Sequence, residues 1–121
     1  MVPGLHPEAV LANLAILAAL LLAALLEAGG DALVRAGLHG GTMPARLGFM
    51  GLGAAVLFAY GLTVNLPAWD FGRLLGVYVV FFFIVAQLVS WLAFGSRPTM
   101  PILVGGALIV AGGLTITFWR A

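Results

Sequence analysis

Four long apolar runs dominate the sequence, and short segments rich in charge, glycine and proline separate them. The runs are 9–26, the stretch between Arg46 and Asp70, the stretch between Arg73 and Arg97, and the stretch between Pro98 and Arg120. Each holds about 18 to 23 residues, which as a helix crosses a hydrocarbon layer of about 30 Å. Backbone groups in lipid need partners within their own segment, and the alternation of a membrane β-barrel is not seen. The pattern therefore predicts four transmembrane helices.

We expect an all-α membrane protein with a single domain, a four-helix transmembrane bundle that comprises residues 1–121. The predicted spans are about 9–36, 46–66, 72–94 and 100–119. Composition strengthens this interpretation, because 64 % of the residues are hydrophobic and 7 % are charged. Soluble domains carry about 25 % charged residues, so a soluble enzyme is excluded. A net charge of +1 also excludes the basic surface that nucleic acid requires, and high hydrophobicity excludes disorder.

The chain has few of the residues that catalytic and metal-binding sites use. There is no cysteine, and the two histidines, His6 and His39, are too few and too far apart to form a metal site. Both are interpreted as loop or helix-end residues near the membrane surface. We find no nucleophile–base pair or phosphate-binding loop, and therefore predict neither an enzyme nor a bound cofactor.

Arginine counts bear on orientation in the membrane. Arg35, Arg46 and Arg97 fall on one predicted side, whereas Arg73 and Arg120 fall on the other. The larger number of arginines favours a cytoplasmic location for the side that has three of them. A difference of one arginine also permits insertion in both directions.

Three charged residues form a stripe on the first predicted helix. Glu27, Asp31 and Arg35 are spaced at i, i+4 and i+8, so they lie on one face, and Asp31 precedes Arg35 in the order that favours an ion pair. Glu27 then lacks a local partner. Inside the membrane such a carboxyl group can exchange a proton with a cationic substrate. The run 9–26 can also span the membrane alone, which would put Glu27 at the surface, and the sequence leaves both placements open.

Small residues recur along the fourth predicted helix. Gly105 and Gly112 are seven positions apart, as are Gly106 and Gly113. Because small residues allow helices to approach closely in lipid, this surface is interpreted as a helix–helix contact rather than a ligand site.

Several of these segments resemble the small multidrug resistance transporter superfamily, including its YnfA-like relatives. In that family's first helix an acid is followed by glycine after three positions and by a basic residue after eight, which Glu27, Gly30 and Arg35 match. The segment 90–97 is similar to the end of the family's third helix, and 101–116 to its fourth. The resemblance covers about 22–116.

The resemblance implies an antiparallel homodimer in a bacterial inner membrane that exports cationic or hydrophobic small molecules in exchange for protons. Glu27 would be the shared proton and substrate carboxylate, with Asp31 beside it. Tyr78 falls where multidrug members have a tryptophan near the substrate. The residues at the positions where the family dimerises are Gly105, Leu108, Ile109 and Gly112.

The chain also departs from the family pattern. Val80 and Phe82 replace a glycine pair that allows the third helix to kink, and Asp31 replaces an uncharged residue. Two alternatives therefore stay open beside the exporter. One is a flippase-like half of a transporter for lipid-linked substrates. The other is an accessory subunit of a larger membrane complex, in which 81–83 would pack on a partner or a lipid tail.

Overall fold

The computed structural model describes residues 7–119, apart from the side chain of Ala9, and within this range all regular secondary structure is helical. The helices are α1 (Pro7–Leu38), α2 (Met43–Val64), α3 (Phe71–Phe94) and α4 (Met100–Phe118). All four are long and apolar enough to cross a membrane, which confirms the predicted fold class. His6 and Arg120, interpreted above from the sequence, lie outside the described residues.

Proline lies in the first turn of α1, α2 and α4 rather than in the loops before them. α2 starts three residues before its predicted start at 46, with Pro44 in its first turn, and Pro101 occupies the same place in α4. A first-turn proline costs nothing, because the N–H it lacks has no partner within the helix. Thr42 caps α2, its side-chain oxygen accepting from the Ala45 N–H at 3.4 Å.

Glycine ends α3. Gly95 has φ 70°, in the left-handed region that favours glycine. The Gly95 N–H donates to the Trp91 carbonyl at 3.0 Å, and the Ser96 N–H donates to the Ser90 carbonyl at 3.1 Å. These bonds satisfy carbonyls that the end of the helix leaves unpaired, so the chain turns sharply toward α4.

Arg46 ties the start of α2 to the end of α1. Its Nε donates to the Gly37 carbonyl at 2.9 Å and its Nη2 to the Leu38 carbonyl at 3.3 Å. A positive charge at a helix C-terminus also interacts favourably with the helix dipole. The arginine that the sequence assigned only to a membrane boundary therefore also closes the α1–α2 hairpin.

We expect Arg46→Met to destabilise the protein by about 1–3 kcal/mol, because two carbonyls lose charged donors. The free energy of unfolding in mixed micelles would measure this loss. Arg97→Met is the matched control, because Arg97 lies over the Trp91 ring instead, with its Cζ 5.6 Å from the ring centroid. An equal loss in both variants would mean that the charge at this end of the bundle matters rather than the two hydrogen bonds.

The helices are arranged in the order α2, α1, α3, α4, with α1 packed against both α2 and α3, and α4 packed against α3. The buried core lies mainly between α1 and α3. Its members are Leu20, Ala23, Ala24, Ala28, Val64, Leu74, Val77, Tyr78 and Val85. Many large apolar side chains are exposed, such as Leu92 at 82 % and Phe58 at 70 %, as expected of helices surrounded by lipid.

Glycine brings α1 and α2 into backbone contact. A Cβ on Gly53 would lie 3.0 Å from the Gly30 carbonyl oxygen and 2.7 Å from a methyl group of Val34. A Cβ on Gly37 would lie 2.8 Å from the Arg46 carbonyl oxygen. Side chains at these positions would force the helices apart, so the α1–α2 spacing depends on glycine.

Only one of the two glycine pairs on α4 contacts α3. A Cβ on Gly106 would collide with Phe83, and a Cβ on Gly113 would collide with Val80. Gly105 and Gly112 have nothing within 4 Å of such a Cβ. Gly105 and Gly112 therefore lie on a face of α4 that the described chain leaves uncovered.

Candidate functional site

Glu27 and Tyr78 meet across the α1–α3 interface. The Tyr78 hydroxyl donates to Glu27 Oε1 at 2.8 Å, a bond between residues 51 positions apart. Tyr78 is only 3 % exposed, and Glu27 is half-buried. Glu27 is held on α1 directly beside the buried Ala28, and Tyr78 is part of the core face of α3. The side chain that the sequence left without a local partner is therefore hydrogen-bonded by a distant one.

A row of aromatic rings extends from this carboxyl group. The Tyr60 ring on α2 lies 5.7 Å from the Tyr78 ring, and the Phe82 ring lies 6.3 Å from it on the other side. Tyr60 is a site residue that the sequence interpretation missed. The sequence could have pointed to Tyr60, because the chain has only two tyrosines and both lie within apolar spans. Three helices thus contribute to the surroundings of Glu27.

The helix bounds place Glu27 well inside the bundle. It lies eleven residues before Leu38, the last residue of α1, which corresponds to about 16 Å along the axis. α1 has 32 residues and a length of about 48 Å, so it is longer than one span requires. The 20 residues of α1 before Glu27 are themselves about 30 Å long, so a position of Glu27 inside the hydrocarbon layer stays a prediction.

A cavity of about 390 Å³ lies between α1 and α3, on the side of Glu27 nearer the three arginines. It runs from Phe82, in the middle of α3, to Ser96, just beyond the end of that helix. Its lining residues are Ala28, Asp31, Ala32, Arg35, Phe82, Ala86, Val89, Ser90, Phe94 and Ser96. This volume is within the range of small-molecule sites, and the lining combines apolar walls with a few polar groups.

Asp31 and Arg35 are both on the wall of this cavity, and Asp31, one turn along α1 from Glu27, is also close enough for its charge to act on Glu27 and Tyr78. The Arg35 guanidinium lies over the Phe94 ring, with its Cζ 5.6 Å from the ring centroid. Direct pairing of Asp31 with Arg35 stays a prediction, as does a role for Asp31 beside Glu27. The three members of the charged stripe are thus divided between two neighbouring environments.

The residues predicted for dimerisation lie apart from both environments. Leu108 is 70 % exposed, Ile109 is partly exposed, and Gly105 and Gly112 are open. They lie on one stripe of α4, about a quarter turn from the glycines that contact α3. The described chain therefore leaves this stripe available to a second molecule.

Arginine–tryptophan contacts mark both ends of α3. The Arg73 Cζ lies 4.9 Å from the Trp69 ring centroid at its start, and Arg97 lies over Trp91 near its end. Such pairs suit the membrane interface, where an indole ring and a cation can both reach the headgroup region. The distance between them matches one membrane span.

Comparison with known proteins gives a partial similarity. The chain is 34 % identical over 70 residues to a UPF0060 membrane protein of Herpetosiphon aurantiacus, which covers 56 % of this chain and 64 % of that protein. The chain thus spans less than two thirds of the length of this relative. No protein-family model and no solved structure matches it. Together with the four apolar helices, the similarity makes the chain an integral, multi-pass membrane protein.

Proposed function

We propose that the protein is a proton-coupled exporter of cationic or hydrophobic small molecules and a member of the small multidrug resistance superfamily. The observation that carries the proposal is the hydrogen bond between Glu27 and Tyr78 inside the helix bundle. A carboxyl group held among apolar helices is expensive unless it has a function or a partner. The similarity to a membrane protein agrees with this placement but says nothing about transport.

The proposed exchange takes place at the Glu27 carboxylate. Tyr78 donates to Oε1, which orients the group and leaves the second oxygen free to hold a proton. When an organic cation arrives, its positive charge stabilises the carboxylate and the proton leaves to water. The partly exposed Tyr60 ring beside Tyr78 offers the cation an aromatic face, which attracts positive charge. Protonation then releases the cation, so one proton and one cation alternate at a single site.

We propose a bacterial inner membrane as the location, with the three-arginine end in the cytoplasm. At this end the structure gathers Arg35 in the last turn of α1, Arg46 in the first turn of α2 and Arg97 after α3.

The direct test of function is reconstitution into liposomes with a pH gradient. Uptake of tetraphenylphosphonium that depends on the gradient would support the exporter. Purification only in fixed ratio with larger proteins would support an accessory subunit instead.

We also propose that two chains associate through the open stripe of α4. In lipid the apolar surface gives no drive toward association, so close contact between small residues must supply it. Gly105 and Gly112 offer such a surface, and Leu108 between them is exposed.

Gly112→Leu is expected to weaken this association by about tenfold or more while leaving the single chain folded, because nothing in residues 7–119 lies within 4 Å of a Cβ at this position. Energy transfer between labelled chains in liposomes at several protein-to-lipid ratios measures the association. Ala107→Leu is the matched control, because Ala107 is also exposed on α4 but lies roughly opposite the stripe. Equal association of the two variants would contradict the proposed interface.

A further inference from the structure

The cavity between α1 and α3 carries one charge of each sign on the same wall. Asp31 and Arg35 both line it, and residues at this spacing have Cβ atoms about 5–6 Å apart. Among residues 7–119, no side-chain hydrogen bond involves either group. The guanidinium extends over Phe94 at the end of α3. Two opposite charges thus border one space of small-molecule size.

We propose that this cavity binds a small zwitterion, with its ammonium group at Asp31 and its carboxylate or phosphate group at Arg35. The charges of the wall cancel, so the cavity as a whole favours a ligand without net charge over a simple cation or anion. A ligand with two charges would satisfy both side chains at once. The proposal goes beyond the exporter function and does not require it.

The positions of the two charges set the orientation of the ligand. Asp31 lies seven residues before the end of α1 and Arg35 only three, or about 10 Å and about 4 Å along the axis. The cationic end of the ligand therefore points into the bundle, and its anionic end points toward the three-arginine surface. A planar guanidinium is suited to a carboxylate or phosphate because it can donate two parallel hydrogen bonds.

Apolar and aromatic groups fill the rest of the wall. Phe82 closes the inner end, Phe94 lies at the outer end, and Val89 lies between them on α3. The Ser90 and Ser96 hydroxyls add uncharged hydrogen-bonding groups near the outer end. The ligand expected from this lining is a zwitterion with an aromatic or other apolar body, because apolar walls with a few fixed polar groups recognise amphipathic molecules.

The zwitterion site is separated from the Glu27 carboxyl group by an aromatic ring. Phe82 lines the cavity on one side and stacks against Tyr78 on the other, while Tyr78 donates to Glu27. Glu27 itself is not on the cavity wall. Because Glu27 does not line the cavity, its substitution tests whether binding in the cavity needs this carboxyl group.

Three related probes test the proposal on the wild-type protein. L-Phenylalanine is zwitterionic, 2-phenylethylamine has only the cation, and 3-phenylpropionate has only the anion. Affinities are measured by titration calorimetry with the full chain in phosphatidylglycerol nanodiscs. We expect L-phenylalanine to bind about tenfold or more tightly than either partner probe, since each of them lacks one charge-assisted contact. Equal or tighter binding of the amine, or no binding of the zwitterion, would overturn the proposal.

Substitutions then assign each charge. Asp31→Asn should remove the advantage of L-phenylalanine over 3-phenylpropionate, and Arg35→Gln its advantage over 2-phenylethylamine. Asp70→Asn and Arg97→Gln are matched controls outside the cavity, and Arg97, like Arg35, lies over an aromatic ring. Circular dichroism of each variant checks that the helices persist. Unchanged preferences in both cavity variants would show that neither Asp31 nor Arg35 holds the ligand and would overturn the proposal.

Two further experiments distinguish binding of a soluble zwitterion in the cavity from binding at Glu27 and from binding of a lipid headgroup. Glu27→Gln should keep the preference for L-phenylalanine even if this variant loses transport, whereas loss of the preference would place the binding at Glu27 and overturn the proposal.

A phospholipid headgroup has the same pair of charges as a soluble zwitterion. If nanodiscs containing phosphatidylethanolamine weaken L-phenylalanine binding, the lipid is the occupant. If they do not, the occupant is a soluble molecule, and either result retains a zwitterion in the cavity.

Discussion

Glu27→Gln is expected to abolish proton-driven transport while leaving the protein folded. Glutamine has nearly the same shape and can still accept the hydrogen bond from Tyr78, but its amide does not take up or release a proton in the exchange. Uptake of tetraphenylphosphonium into liposomes with a pH gradient should fall to the level of protein-free liposomes. Detergent-solubilised variant should retain its helical content, because the buried core does not include this residue.

Asp70→Asn is the control for this loss. It removes one carboxylate from an exposed position at the start of α3, where its side chain makes no capping hydrogen bond. We expect its transport to equal that of the wild type. Gradient-driven uptake that persists in Glu27→Gln would contradict the exchange proposed at this residue, whatever the folding of the variant.

Tyr78→Phe should have a smaller effect of the same kind. The substitution removes the donor to Glu27 but keeps the ring that packs against Tyr60 and Phe82. A hydrogen bond to a charged group contributes about 1.5–3 kcal/mol, so the half-saturating cation concentration should change by about tenfold or more. The maximum rate of uptake should survive, since Glu27 still exchanges its proton. Complete loss of transport would instead assign the proton exchange to both residues together.

The second large effect is expected from Gly53→Leu. The new side chain would meet the Gly30 carbonyl oxygen and the Val34 backbone nitrogen, both about 3.0 Å from its Cβ. Backbone atoms cannot yield as a flexible side chain does, so α1 and α2 must separate. We expect a loss of about 3 kcal/mol or more, at the upper end of the cost of overpacking. Unfolding in mixed micelles measures it directly.

Gly51→Leu is the matched control on the same helix, two residues away. Within the described part of the chain its Cβ would meet nothing within 4 Å, and leucine is the better helix former by about 0.8 kcal/mol. The control should therefore be as stable as the wild type or slightly more so. Similar losses in both variants would contradict the close α1–α2 contact. In Gly53→Leu we also expect weaker transport, because Glu27 is held on α1.

The number and type of the elements were readable from the sequence alone. Charged residues cannot remain in the hydrocarbon layer without cost, so their spacing along the chain divides it into spans. The observed helix bounds differ from the predicted ones where local geometry extends a helix, as at Pro44, which precedes the predicted start at 46 but lies in the first turn of α2. Glu27 was identified as a candidate for the same reason, because it lies at the end of an uncharged run.

The contacts of these residues were not readable in this way. The helices are apolar on every side, so hydrophobic periodicity does not show which face packs on a neighbour. On α4 the pairs Gly105–Gly112 and Gly106–Gly113 have the same spacing, yet only the second contacts α3. The donor to Glu27 lies 51 positions away, and no local pattern connects it to the carboxyl group.

Sequence alone thus determined a four-helix membrane protein with a single charged stripe, because the cost of charge in lipid acts on each residue separately. Tertiary structure alone decided what the stripe and the other charged residues contact. It joins Glu27 to Tyr78, places Asp31 and Arg35 on the wall of a cavity, and engages Arg46 with the end of α1. These contacts depend on which helix faces pack together. Hydrophobicity does not select those faces in a chain surrounded by lipid, so they are selected by side-chain shape and by a few polar contacts.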